Sequence, residues 1–276
     1  MTLSDIGKIF NRAWSQTFDK RKLFLMFIVL LLCGLLVVFF HGLSIGANPW
    51  IKQSLTFLPF FLCAGVLLST GIMLIRVYHD EIKEKPISYQ EVFKKSWEII
   101  IGSSYFSIPI ILCYLLLWVL TGIFLLFEQT PIVGPTFSTI LAFGPFLLNL
   151  AAILLCIANI AMLFFAAPVL ALKGLNGIRI SKNLTQKYNK DIFSNLLLGF
   201  IAITPLALVL IILTLAGIMS GLSTLQYSSI LFSTLRRFII MIPFVAFLTP
   251  PLIFFFNFSA ESHVLLLKEV KKQSLQ

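Results

Sequence analysis

Long apolar runs, separated by short basic or turn-forming stretches, make up almost the whole chain. Residues 1–22 open it with Ile6, Ile9, Phe10, Ala13, Trp14 and Phe18 at helical spacing, and with Asp5, Lys8, Asn11, Arg12 and Gln16 on the other side. That periodicity predicts an amphipathic helix on the membrane surface, with Ser4 as its N-cap. Residues 23–40 are uncharged. A bilayer core of about 30 Å needs about 20 apolar helical residues, so the first span is placed there. Gly42, Gly46, Asn48 and Pro49 turn the chain, and Trp50 suits the headgroup level. A second span is expected at 54–75, ended by Arg76 and a charged loop at 77–86.

The next unit repeats this order. Ser88 and Glu91 have capping-box spacing, in which each side chain satisfies the other's free backbone N–H, and Ile87 with Val92 forms a hydrophobic staple. Phe93, Ser96, Trp97 and Ile100 then share a face away from Lys94, Lys95 and Glu98, which predicts a second interfacial helix. Residues 102–104 interrupt it, and 105–127 is an uncharged third span. Residues 128–135 turn the chain. The uncharged stretch 136–172 is too long for one span and too short for two with a loop. Gly144-Pro145 is expected to break it, leaving a partly embedded piece before a fourth span at 146–168. A third basic stretch, 173–195, carries a weaker stripe of Ile178, Ser181, Leu184, Thr185 and Tyr188, with Asn176 as a candidate cap. Asp191 is placed to cap a fifth span at 192–219. An outer segment at 220–237, a sixth span at 238–258 and a short helix at 259–272 complete the pattern.

Composition fixes the class. The chain is 59% hydrophobic and 12% charged, against roughly 25% charged in a soluble domain. The fold class is therefore an all-α polytopic membrane protein of six transmembrane helices. A formal net charge of +10 raises nucleic acid as a partner, but the basic residues lie between apolar runs, where they set orientation and meet anionic headgroups. Five lysines or arginines fall in 1–22, five in 76–96, five in 173–195 and three in the tail, leaving Lys52, Arg236 and Arg237 on the other side. This bias predicts a multi-pass protein of the inner (plasma) membrane with both termini cytoplasmic. The 18 uncharged residues of 23–40 exceed the roughly 7–15 of a secretory signal core, so the first span is expected to stay uncleaved. Cys33, Cys63, Cys113 and Cys156 each lie in an apolar run with no CxxC pair, and read as small apolar residues.

The chain is expected to be a single integral membrane domain, 1–276, built from approximate repeats 1–78, 79–172 and 173–276. Phe10-Asn-Arg-Ala-Trp14 matches Phe93-Lys-Lys-Ser-Trp97, and Ser181 falls in a comparable place before the fifth span. Each copy reads as a basic amphipathic helix, a span, an outer turn and a second span. The prediction is three hairpins, each preceded by an interfacial helix.

The run from Ala166 through Ala167, Pro168 and Lys173-Gly174 to Ser181 and Leu184 resembles a signature of a bacterial six-span module. That module occurs beside some glycerophosphodiester phosphodiesterases and as stand-alone membrane proteins of unknown function. The resemblance implies the membrane module and not the enzymatic activity, because six spans leave no room here for the soluble phosphodiesterase barrel.

No HExxH, GxSxG, P-loop or GxGxxG is present, and no cofactor, metal or catalytic residue is expected. His41, His79 with Asp80 and Glu81, His263 and Glu128 are all read as solvated groups at span edges or in loops. No ionisable side chain lies inside the expected spans, which argues against an ion-coupled transporter. Asn149, Asn159 and Asn257 are the most polar groups within them and are candidates for a polar lining of the bundle. Trp14 and Trp97 are the candidate interfacial anchors. The expected function is a non-enzymatic scaffold or lipid-organising module. Its partners would be membrane lipids, with anionic headgroups at the basic cytoplasmic surface, and an unidentified protein. The alternative is an uncoupled permease for a small or lipidic solute, which would need a polar path across the midplane.

Overall fold

The computed structural model describes residues 3–84, 89–105, 107–128, 130, 133–174, 192–220 and 230–273. Among these residues there are eight helices and no strand. They are α1 (Leu3–Ser15), α2 (Lys20–Leu43), α3 (Pro49–Ile82), α4 (Tyr89–Ser104), α5 (Ser107–Glu128), α6 (Val133–Lys173), α7 (Ile192–Met219) and α8 (Ile230–Gln273). Six helical stretches are long and apolar enough to cross a membrane, one each in α2, α3, α6, α7 and α8 and one running from Trp97 through α5. Helices meet the demand of hydrocarbon that every backbone polar group be satisfied internally.

Three helices form the inside of the bundle. α3, α6 and α8 pack against one another, while α2 leans on α3 and α8, α5 leans on α6 and α3, and α7 leans on α8. The most apolar windows of α3, α6 and α8 are 67%, 33% and 39% buried, against 11%, 6% and 11% for α2, α5 and α7. α1 packs on α8 and α4 on α3. The main core joins Leu68, Ile72 and Tyr78 of α3, Leu163–Leu170 residues of α6, Phe254–Phe258 residues of α8, and Ile9 and Ala13 of α1. A smaller cluster of Phe61, Tyr114 and Ala152 lies toward the far end.

Lipid tails are as apolar as leucine, so these contacts rest on close packing and on interhelical hydrogen bonds. Glycine permits two of the tightest approaches. A Cβ on Gly71 would stand 2.2 Å from the Phe256 ring, and one on Gly34 would stand 2.3 Å from Met241 Sδ.

Several expected boundaries differ. The first helix ends at Ser15, not at residue 22, and starts at Leu3, which places Ser4 inside it instead of at its cap. Thr17 Oγ1 donates to the Ala13 carbonyl, and Asp19 accepts from the Arg21 N–H to cap α2, so the chain turns between the two helices. The expected loop at 77–86 is helical through Ile82, because Val77 and Tyr78 are buried against neighbours and continue the apolar face. α3 stops where Glu84 takes a left-handed φ of 53°. The capping box and staple at 87–91 fall partly on residues outside the described ones, as do Asn176, Ser181, Asp191 and the stripe of the third basic stretch.

Gly144-Pro145 does not break α6, which runs unbroken for 41 residues. Proline costs one internal hydrogen bond, a loss that membrane helices tolerate. Gly144 serves packing instead: its Cβ would meet the Phe124 ring at 2.6 Å. Likewise α8 passes through Pro243, Pro250 and Pro251 and on to Gln273, so the sixth span and the short terminal helix are one rod, and it begins at Ile230 inside the expected outer segment. Residues 259–263 are buried, which holds the rod together past the expected span end.

Candidate functional site

At the end of the bundle where α1 lies, four helices bring charged and polar side chains into the packed interior. Lys22, two residues past the start of α2, is fully buried with its side chain 0% exposed. Its ammonium pairs with Glu81 of α3, donates to the Gln16 carbonyl at 3.4 Å, and lies 5.4 Å from the centroid of the Tyr78 ring. Tyr78 and Glu81 are one helical turn apart on α3, so one face presents both. The Tyr78 hydroxyl donates to Glu261 Oε1 of α8 at 2.8 Å, and Arg12 of α1 donates to the same oxygen at 3.3 Å. Arg76 Nε donates to the Ala171 carbonyl of α6 at 2.8 Å. Ser259 donates to the Phe164 carbonyl. Arg12, Tyr78, His79, Lys83 and Glu261 also line a cleft of about 200 Å³ opening beside this cluster.

The pairing is chemically matched. Each buried carboxylate has a cationic partner, and Glu261 gains a hydroxyl donor as well. Removing Lys22 leaves the enclosed Glu81 charge uncompensated, which costs about 3–5 kcal/mol, whereas Arg12, with its side chain 57% exposed, is screened by solvent and contributes less to Glu261. The cluster therefore ties α1 and α8 to α3 through Arg12–Glu261–Tyr78, and α2 to α3 through Lys22–Glu81.

The opposite end is polar in a different way. Gln53 of α3 donates to Asn149 of α6 at 2.5 Å, and Tyr114 of α5 donates to the Ser54 carbonyl at 3.0 Å. Trp50 and Trp118 stack with centroids 5.5 Å apart. A void of about 20 Å³ lies among these groups, enough for about one water.

The three asparagines do not come together. Asn149 belongs to this far end, and Asn159 lies ten residues along the same helix, about 15 Å away by helical rise. Asn159 is buried, and its Oδ1 has no hydrogen-bond partner among the described residues. Asn257 is fully buried on α8 and donates to the Ala13 carbonyl of α1 at 3.4 Å. Trp14 is 44% exposed, with one side of its ring against Phe254 at 5.7 Å. Trp97 is 48% exposed and lies off the edge of α4 that packs on α3. That edge carries Val92, which meets Met73 and Val77, and Ser103, whose hydroxyl lies 3.3 Å from that of Ser69.

Two groups expected to be solvated are not. Glu81 is the partner of Lys22, and His263 is 1% exposed on α8. The expectation ended the second and sixth spans at residues 75 and 258, whereas α3 and α8 run on without a break and carry both groups back into the bundle. Glu128 is exposed as expected. Sequence reasoning missed Lys22, Tyr78, Glu81 and Glu261 as a set. Glu261 carried a signal, as a lone acid in the long apolar stretch from 238 to 267. Among the described residues, no group of three or more His, Cys, Asp or Glu side chains could hold a metal. No protein-family model, curated protein or solved structure matches the chain.

Proposed function

We propose that the chain is a non-enzymatic integral membrane module that organises anionic lipid at the cytoplasmic face of the inner membrane. Its six spans form three hairpins, α2–α3, α5–α6 and α7–α8, with both termini cytoplasmic. α3, α6 and α8 make an inner ring. The interfacial helices follow the same rotation: α1 precedes the first hairpin and rests on the last helix of the third, and α4 precedes the second hairpin and rests on the last helix of the first.

One observation carries the reading. The exposed basic side chains of Lys8, Lys20, Arg21 and Lys83 stand on the helix ends that meet at one end of the bundle, beneath which Leu68, Ile72, Phe254 and Phe256 are packed to 1% exposure or less. A basic face over a filled apolar interior suits lipid attraction better than passage of a solute. The resemblance of 166–184 to a six-span module supports the membrane module itself.

The test is the lipid that travels with the full chain when it is purified in a mild detergent from a bacterial inner membrane. Anionic phospholipid enriched above its share of the source membrane is expected, and equal proportions would overturn the proposal. Reporter fusions after Gln276 and at Asn48 are expected to report opposite sides of the membrane. Release of a small solute from protein-bearing vesicles, above that from empty ones, would favour the permease instead.

A further inference from the structure

The outer helices lean on the inner ring by one rule. α2 bridges α3 and α8, and α5 bridges α6 and α3. By the same rule α7 would bridge α8 and α6. Its contact with α8 is made, and its Leu198 and Ala202 are buried in the main core. Among the described residues, however, α6 and α7 barely touch. The other two seams are closed by side chains: Met241 fills the space over Gly34 between α2 and α8, and the Phe61 and Tyr114 rings meet at 4.7 Å between α3 and α5. The α6–α7 seam instead holds a cavity of about 480 Å³, lined by Ile157, Phe164 and Phe165 of α6 and by Asn195, Gly199 and Phe200 of α7.

We propose that this groove holds one acyl chain of an anionic phospholipid from the cytoplasmic leaflet, an assignment that rests on the lipid-organising reading above. The lining is apolar except for Asn195. A buried water needs two to four polar partners, so water does not fill such a space. Asn195 stands three residues into α7, and the lining reaches Ile203, eight residues further on. That is about 12 Å of helix, within one half of a hydrocarbon core of about 30 Å. The groove thus begins near the cytoplasmic end and stops inside one leaflet. An acyl chain gains little by exchanging lipid neighbours for leucine and phenylalanine, so selectivity must come from the headgroup. The charge for it is adjacent in sequence: the stretch joining α6 to α7 carries Arg179, Lys182, Lys187 and Lys190, and cations near the surface attract anionic lipid.

Gly199 provides a clean test. A Cβ there meets nothing within 4 Å, and leucine favours helix over glycine. Gly199→Leu therefore fills the groove without disturbing the protein's own packing. The full chain would be reconstituted in vesicles containing a phosphatidylglycerol or a phosphatidylcholine with a photoreactive diazirine on its acyl chain, and labelled peptides mapped. The expected result is labelling concentrated on 157–165 and 195–203, at least several-fold stronger for phosphatidylglycerol, and reduced at least several-fold by Gly199→Leu with no loss of thermal stability. Labelling spread evenly around α2, α5 and α7 would overturn the proposal, as would labelling insensitive to Gly199→Leu. Equal labelling by the two lipids would overturn the anionic assignment. Crosslinks at the groove to a second copy of the chain would assign it to self-association and also overturn the proposal. If anionic lipid co-purifies but labels elsewhere, the groove assignment fails alone. If no anionic lipid co-purifies, the lipid-organising reading fails with it.

Discussion

Replacing Lys22 by methionine removes a buried charge while keeping most of the side chain's length. The Lys22 side chain is 0% exposed and that of Glu81 13%, so Glu81 would be left nearly enclosed with its main partner gone. Two unit charges about 4 Å apart attract by about 4 kcal/mol at an effective dielectric of about 20. Desolvation costs several kcal/mol per ion, so the intact pair contributes little net stability, whereas breaking it costs about 3–5 kcal/mol. Lys22→Met and Glu81→Leu are each expected to destabilise by about that much. The Lys22 variant falls at the upper end, because it also loses the bond to the Gln16 carbonyl and the face of the Tyr78 ring. The double variant replaces the pair with apolar side chains and is expected to recover most of the loss, leaving it within about 1–2 kcal/mol of the parent. Reversible unfolding by SDS titration in mixed micelles measures all four corners of the cycle. A coupling energy of about 3 kcal/mol or more is expected. Additive effects, or single variants each costing under about 1 kcal/mol, would mean that the pair is exposed to solvent and would refute the clustering of charge at this end.

Three further outcomes are expected. Gly71→Ala should cost about 1–3 kcal/mol, because its Cβ drives into the buried Phe256 ring, whereas Gly199→Ala, facing open space, should gain about 0.5–1 kcal/mol from helix entropy; the same SDS titration reads both, and equal effects would contradict the packing at Gly71. In single-tryptophan variants, Trp14 and Trp97 should both be quenched by spin labels at the headgroup level of the bilayer, and response to aqueous quenchers alone would remove α1 and α4 from the membrane surface. Asn149→Leu should cost about 0.6 kcal/mol through the lost bond from Gln53, while Asn159→Leu, which removes an unpartnered buried oxygen, should be neutral or stabilising; a larger loss at Asn159 would show that its amide is fully paired.

The sequence by itself determined the class of this protein and the number of its spans. Apolar length against bilayer thickness is a one-dimensional criterion, and six helical segments of that kind are present. The fifth span falls at Ile192–Met219 in α7, the bounds read from the sequence, because a basic stretch precedes the apolar run and Ser220-Gly221 follows it. Where the reading failed, it treated local signals as decisive. Gly144-Pro145 is a breaker in water, yet α6 runs through it, since hydrocarbon and tertiary packing penalise an unwound backbone more than a missing hydrogen bond. Charge was taken to end a span at Arg76, and the sixth span was ended at residue 258, yet α3 and α8 run on past both. Whether a charge is solvated depends on what lies across from it: Glu81 answers Lys22 at 59 residues' separation, and Glu261 answers Arg12 at 249 and Tyr78 at 183. No pattern along the chain encodes those distances. They are decided by which helix faces meet when α3, α6 and α8 close into the inner ring, and among the described residues that closure also leaves the α6–α7 seam open.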